Sequence, residues 1–206
     1  MKIHQLDCVV FDVETTGLSP VDGDRIIEIA AVKMRNHEII DTFESFVNPK
    51  RSIPKEAQAI NKITPEMVAD APTADQVLPR MISFIGGACL VGHNIKFDLD
   101  FLCYELVQCG RRLHAATPAV DTLKMTKMYL PQLSRHRLEN VAQYFGERIG
   151  ETHRALADVK LTAAIFNRLV DIAVKQGLDT PGELFKQFGV EKPSFKADNV
   201  HQATLF

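Results

Sequence analysis

Cysteine is scarce and badly spaced for chemistry. Cys8, Cys89, Cys103 and Cys109 form no C-x-x-C pair, which argues against a zinc ribbon or a disulfide frame and reads as reduced core thiols of a cytoplasmic protein. No apolar run is long enough to span a bilayer, and the Met1-Lys2-Ile3-His4-Gln5-Leu6-Asp7 start lacks a signal-peptide pattern. An excess of positive charge is missing too: 24 Lys and Arg face 26 Asp and Glu, a formal net charge of −2. Contact with nucleic acid must therefore use a local patch or metal ions. There is no internal repeat or low-complexity tract. What is present, 206 residues with 46% hydrophobic and 24% charged, suits one well-packed domain or a domain plus a tail.

Within that ordinary background, Val9-Val10-Phe11-Asp12-Val13-Glu14-Thr15-Thr16-Gly17 stands out. Its β-branched apolar residues read as a strand buried on both faces, so Asp12 and Glu14 have no packing reason to be there. Side chains alternate along a strand, which puts Val10, Asp12 and Glu14 on one face. Two ionised carboxylates so close repel and are costly to bury unless a cation joins them, and hard divalent cations take Asp and Glu oxygens. The pair is half of a metal site. Thr15-Thr16-Gly17 then ends the strand in a turn expected to free backbone N–H groups for a substrate phosphate. The plain alternative is a strand end whose carboxylates reach water, and the rest of the chain weighs against it.

Downstream, Leu18 to Asp24 is a turn, Arg25 to Met34 a second strand and Glu38 to Val47 a third, forming an antiparallel meander punctuated at Asn36-His37. Glu28 lies among apolar neighbours and is read as structural or supporting, not as a ligand. Pro49 to Pro72 reads as loop with short helical turns, and Thr73 to Ile85 as a helix despite Pro79, stopped by Gly86-Gly87. Ala88 to Gly92 is a short buried strand, after which Phe97, Phe101, Leu102, Leu106 and Val107 recur at helical spacing. Asp98 therefore falls in the first turn of a helix just past a strand's carboxyl end, where open α/β sheets put their ligands. Asp100 is assigned to complementing the helix dipole, worth about 0.3–1 kcal/mol.

Ala119 to Thr122 is another short strand, with helices following to Phe145. Between positions 111 and 137, Arg111, Arg112, Lys124, Lys127, Arg135 and Arg137 stand against Asp121 alone, the one basic region and the best candidate for a phosphate backbone. Glu151 to Val159 opens a long helix with Leu161, Ile165 and Leu169 on its core stripe. His153 and Asp158 would lie about 140° apart on a regular helix. They converge only if His153 sits ahead of the helix on a mobile loop. Thr180 to Phe188 makes a last helix, and Lys192 to Val200 reads as a flexible linker.

Asp12, Glu14, Asp98 and Asp158 thus come from three separated segments, with His153 nearby. Four acids and a histidine suit two-metal hydrolysis of a phosphodiester, in which ions ~3.5–4 Å apart bind the attacking and leaving oxygens. All-oxygen ligation suits Mg²⁺ or Mn²⁺, whereas Zn²⁺ favours His or Cys. His153, with an ordinary pKa of about 6.5, is suited to take the proton from the attacking water.

Phe11-Asp12-Val13-Glu14-Thr15-Thr16-Gly17, His93-Asn94 through Phe97-Asp98 with Phe101-Leu102, and His153-Arg154-Ala155-Leu156 through Asp158 resemble, in order and spacing, the three motifs of the DEDDh (DnaQ-like) 3′→5′ exonuclease family. The proofreading epsilon subunits of bacterial DNA polymerase III belong to that family. The resemblance runs from about Leu6 to Leu169. It implies an α/β, ribonuclease-H-like exonuclease fold whose mixed central sheet, antiparallel meander plus parallel strands, is flanked by helices. It implies removal of nucleoside 5′-monophosphates from single-stranded DNA 3′ ends. Two divalent ions are implied as well: Asp12, Glu14 and Asp158 around the first, Asp12 shared with the second, and Asp98 supporting that ion partly through water, with His153 as base. Thr15, Thr16, Gly17, Leu18, Asn94 and Phe97 would hold the terminal nucleotide. Family members often carry His-Gly-Ile in the loop that reaches the terminal base, and here the matching run is Asn61-Lys62-Ile63, which makes Asn61 the expected base contact.

The final Gln202-Ala203-Thr204-Leu205-Phe206 is similar to the Gln-x-x-Leu-Phe peptide with which bacterial proteins dock on the sliding clamp. Gln202 would be the hydrogen-bonding handle, and Leu205 and Phe206 the apolar anchors. The expectation is therefore an exonuclease domain over 1–176 and a C-terminal helix, linker and clamp-binding tail over 177–206. Its expected role is DNA proofreading or repair in the cytoplasm, with the clamp and the polymerase III catalytic subunit as partners and no membrane. The rivals are an RNA 3′-end trimming exoribonuclease of the same fold and a non-catalytic clamp- or polymerase-binding module.

Overall fold

The computed structural model describes residues 2–148 and 154–196. At its centre lies β1 (Cys8–Thr15), in a five-stranded sheet of order β3-β2-β1-β4-β5 with β2 (Ile26–Arg35), β3 (Glu38–Phe46), β4 (Cys89–Gly92) and β5 (Ala119–Asp121). The first three strands form the expected antiparallel meander, while β4 and β5 run parallel to β1. Asn36 and His37 make the β2–β3 turn, both with positive φ (50° and 69°), as a two-residue type I′ hairpin requires. Parallel neighbours need long crossovers. Here α1 (Lys55–Asn61), α2 (Pro65–Val68) and α3 (Ala74–Ile85) lead from β3 to β4, and α4 (Lys96–Gln108) leads from β4 to β5.

Alternation along β1 feeds two cores. Val9, Phe11 and Val13 pack with Val77, Met81, Leu99 and Leu102 of α3 and α4. Val10 faces the other way with Leu161, Ile165, Phe166 and Leu169 of α7 (Ala155–Lys175). Each such side chain, fully buried, contributes about 1.5–3 kcal/mol, so α7 is held chiefly by its apolar stripe. β1 pairs with β4 from Cys8↔Cys89 only as far as Val10↔Val91. From Phe11 onward β1 outruns its parallel neighbour, and the edge left open is where the carboxylates emerge.

One expectation needs correction. The long helix begins at Ala155 and not at Glu151, and Arg154 ahead of it is extended (φ −131°, ψ 123°); the physical reason is a tertiary anchor described below. The C-terminal helix packs on the main core. α8 (Pro181–Phe188) buries Leu184 and Phe188 in the same core as Val120 and Leu130, and Phe188 meets Tyr129 of α5 (Thr122–Tyr129) at 5.5 Å between ring centroids. The stretch expected to start a free linker is likewise pinned. Val190 N–H donates to the Ala119 carbonyl at 2.9 Å. The Lys192 ammonium donates to the carbonyls of His114, Ala115 and Thr117, and Phe195 sets its ring edge-on to Tyr104. Gln202, Leu205 and Phe206 lie outside the described residues. All four cysteines are free thiols, and no described helix is long and apolar enough to cross a membrane.

Candidate active site

Asp12, Glu14 and Asp158 each offer a carboxylate oxygen, and the three oxygens lie within 4.8 Å of one another. Alternation on β1 aims the first two at the α7 side of the sheet, and Asp158 comes from the first turn of α7. Asp98, 4% exposed, comes from the opposite direction. Past the end of β4 the Val13 N–H has no strand to bond, and the Asp98 Oδ1 accepts it at 3.0 Å. The start of α4 thus replaces the missing strand and delivers a fourth carboxylate beside the other three.

Without a cation this arrangement resists ionisation. Burial, then the charge of Asp98, then those of Glu14 and Asp158 push the Asp12 carboxyl well above its usual range. Glu14 is pushed up to about 7 by burial and by the charges of Asp158 and Glu28, with Arg154 opposing. Asp98 is raised mainly by burial, against the Val13 hydrogen bond. Crowded, half-desolvated carboxylates of this kind are stable as anions only with counter-charge. An all-oxygen donor set fits a hard divalent cation and disfavours zinc.

Glu28 supplies the scaffold. Directly opposite Glu14 on β2 and 1% exposed, it accepts Arg154 Nη2 at 2.9 Å and Nε at 3.2 Å, and its other oxygen takes the Ala155 N–H at 3.1 Å. The guanidinium also lies over the Phe46 ring, 5.3 Å from its centroid. This anchor explains why Arg154 is extended and why α7 starts at Ala155: the amide that a helix leaves orphaned is satisfied from β2. His153 lies outside the described residues. Its neighbour in sequence is the fixed Arg154.

The expected nucleotide contacts divide into two groups. Leu18 is 85% exposed, at the tip of a turn that Asp24 organises by accepting Thr16 Oγ1 and the Ser19 N–H. A Cβ on Gly17 would sit 2.3 Å from Asp24 Oδ2, so any larger residue must displace that carboxylate or the backbone. Phe97, partly buried, meets Phe101 at 5.0 Å between centroids. Asn94 adopts positive φ (64°), and its N–H is bonded to Asp121 Oδ1 at 2.9 Å. By contrast, Thr15 and Thr16 are buried, and the Thr16 N–H expected to be free is bonded to the Arg25 carbonyl at 2.9 Å. Asn61 is buried too, with Nδ2 donating to the Thr15 carbonyl and Oδ1 accepting the Ile63 N–H. Its amide therefore braces the β1 turn.

Sequence reading passed over two residues at this site. Asp121 caps α5 through the Leu123 N–H and also holds Asn94; an aspartate closing a short strand before a helix is its signal. His93 bonds Thr122 Oγ1 through Nδ1 and the His136 carbonyl through Nε2. Burial lowers its pKa, and the carbonyl partner places a proton on Nε2. Asp100 sits apart, paired with Lys96.

The RNase_T exonuclease family model matches residues 9–166. A DNA polymerase III PolC-type protein of Caldanaerobacter subterraneus subsp. tengcongensis is 39% identical over 197 residues, which is 96% of this chain and 14% of that protein. Exonuclease X, solved in complex with 5′ overhanging duplex DNA, shares 27% identity and superposes with a TM-score of 0.68, covering 86% of this chain and 96% of the other. The nuclease domain of 3′hExo, a DEDDh family member bound to rAMP, shares the fold at a TM-score of 0.73 and 23% identity, covering 94% of this chain and all of the other.

Proposed function

The chain belongs to the RNase_T exonuclease family, and from that premise we propose that it hydrolyses the terminal phosphodiester at DNA 3′ ends, releasing nucleoside 5′-monophosphates during replication proofreading. The observation that carries this is the convergence of Asp12, Glu14 and Asp158 within 4.8 Å, with Asp98 delivered to the same edge of β1. Enzymes of this family use divalent metals. Here the four carboxylates would hold two ions, Mg²⁺ or Mn²⁺, which when bound polarise the scissile phosphate and offset charge on the attacking and leaving oxygens.

The chain's own residues do the rest. Leu18 and Phe97 border the terminal nucleotide. Asn94, its backbone held by Asp121, turns its side chain to the sugar end. His153 takes the proton of the attacking water, and the adjacent Arg154 is clamped to Glu28. The chain spans only 14% of the length of the PolC-type relative, so the polymerase III catalytic subunit is a proposed partner, and the sliding clamp, reached through Gln202, Leu205 and Phe206, a second.

The deciding experiment is digestion of a 5′-labelled single-stranded DNA and its RNA equivalent, each with Mg²⁺ and with EDTA, by the wild type and by Asp12→Ala. A 3′-end ladder on DNA that needs both metal and Asp12 is the expected result. Faster digestion of RNA would reassign the substrate, and no digestion of either would overturn the activity.

A further inference from the structure

The loop between α5 and α6 (Leu138–Phe145) and the outer face of α6 border an open surface hollow of about 200 Å³ lined by Leu133, Ser134, Arg135, Asn140, Gln143 and Tyr144. Tyr144 is 48% exposed. Its hydroxyl accepts Gln132 Nε2 at 3.0 Å, and its ring rests edge-on against Phe145, 5.3 Å between centroids. The ring is thus oriented from two sides while much of it stays open to solvent. Arg135 lines the same hollow and is exposed, and Arg137, two residues on, is exposed as well, in a stretch, 122–138, that holds no acidic residue. The loop is tied to the catalytic end of the sheet, because the His93 Nε2–H donates to the His136 carbonyl at 2.8 Å and His93 opens the turn that leads to Asp98.

From these observations we infer that this hollow is a second subsite for a single-stranded polynucleotide, in which a base lies on the Tyr144 ring while Arg135 and Arg137 hold the adjoining phosphates. The chemistry matches each part. An oriented, half-exposed aromatic ring offers a π-face to any base, the Asn140 and Gln143 amides offer donors and acceptors to its edge, and planar guanidiniums suit phosphate oxygens. In a chain of net charge −2, a patch of this kind supplies locally the attraction that the whole protein lacks. The subsite rests on the proposed nuclease function but concerns only how the strand behind the terminal nucleotide is retained.

The test uses the full chain with a 5′-fluorescein oligothymidylate of about twelve nucleotides, within the usual span of single-strand sites. Binding is followed by anisotropy in EDTA across a salt series. Hydrolysis of the same oligomer and of a dinucleotide is followed in Mg²⁺. Tyr144→Ala should weaken binding and raise KM for the oligomer about tenfold, with the dinucleotide unaffected and the salt slope unchanged, while Tyr144→Phe retains wild-type affinity. Arg135→Gln should lower the log–log salt slope by about 0.7, the loss of one phosphate contact. Equal weakening on dinucleotide and oligomer, or no effect of either Tyr144→Ala or Arg135→Gln, would overturn the subsite. Oligomer binding that depends on Tyr144 in a protein that hydrolyses neither substrate would support the subsite and overturn the activity.

Discussion

Glu28 and Arg154 are joined by two of the arginine's nitrogens across 126 residues of sequence, with Nη2 at 2.9 Å from Oε1. The same carboxylate faces Glu14 across the β1–β2 pair. One buried acid thus sets both the start of α7 and part of the charge felt at Glu14. Removing its partner should be costly, because Glu28 would be left buried without counter-charge. Arg154→Met is expected to destabilise by about 3 kcal/mol, the low end for breaking a buried pair, since the arginine end is 36% exposed. It should also lower kcat at least tenfold through Asp158 and His153 while changing KM little. Thermal melts and steady-state kinetics check both, and a full loss of Tm with kcat intact would separate the anchor from catalysis.

Asp12→Asn should split stability from function. Removing one negative charge from four crowded carboxylates relieves repulsion and the cost of burying an anion, so the metal-free variant should melt higher than the metal-free wild type. Hydrolysis should fall to background, and added Mg²⁺ should raise Tm less than it does in the wild type, where binding stabilises by mass action.

The pH dependence of the metal-free protein follows from Glu14. Its folded pKa of about 7 lies above the ordinary 4.5, so the folded state binds the extra proton. That contribution to stability is present below pH 4.5 and is lost as pH rises through 7. In EDTA, Tm should therefore fall between about pH 5 and 8, in proportion to how far Glu14 and its raised neighbours Asp12 and Asp98 ionise. Saturating Mg²⁺ should flatten the trend, because the cation replaces the protons. Metal affinity should weaken as the medium is acidified, for the same reason.

The carboxylates were legible in the sequence because charged residues inside an apolar, β-branched strand contradict their surroundings, and Asp12 and Glu14 emerge on one face as alternation requires. The meander was legible for the same local reasons, down to the Asn36-His37 turn. What stayed hidden depends on distant partners. The start of α7 is set by Glu28, 127 positions from the amide that it caps, and no local propensity records that bond. The helix at Pro181–Phe188 was found in sequence, but its membership of the main core depends on Leu184 and Phe188 meeting α5 and β5. Asn61 was expected to face a base, yet its two amide ends bond backbone on either side. Sequence spacing locates such a residue without saying which way its side chain is committed.

Gly17→Ala tests the turn that carries Leu18. The new Cβ would lie 2.3–2.5 Å from all three carboxyl atoms of Asp24, so either the backbone or that carboxylate must move. Asp24 is the hub here, accepting Thr16 Oγ1 and the Ser19 N–H and pairing with Arg51 at 3.1 Å. Its displacement would undo several bonds together, while Asp12 and Glu14, fixed by the strand pairing with β2, would stay in place. The expected signature is a rise in KM of about tenfold or more with a smaller change in kcat, as for the loss of ground-state binding. If instead kcat falls as far as kcat/KM, Gly17 would belong to the placement of the carboxylates, and the turn would have to be counted as part of the catalytic frame.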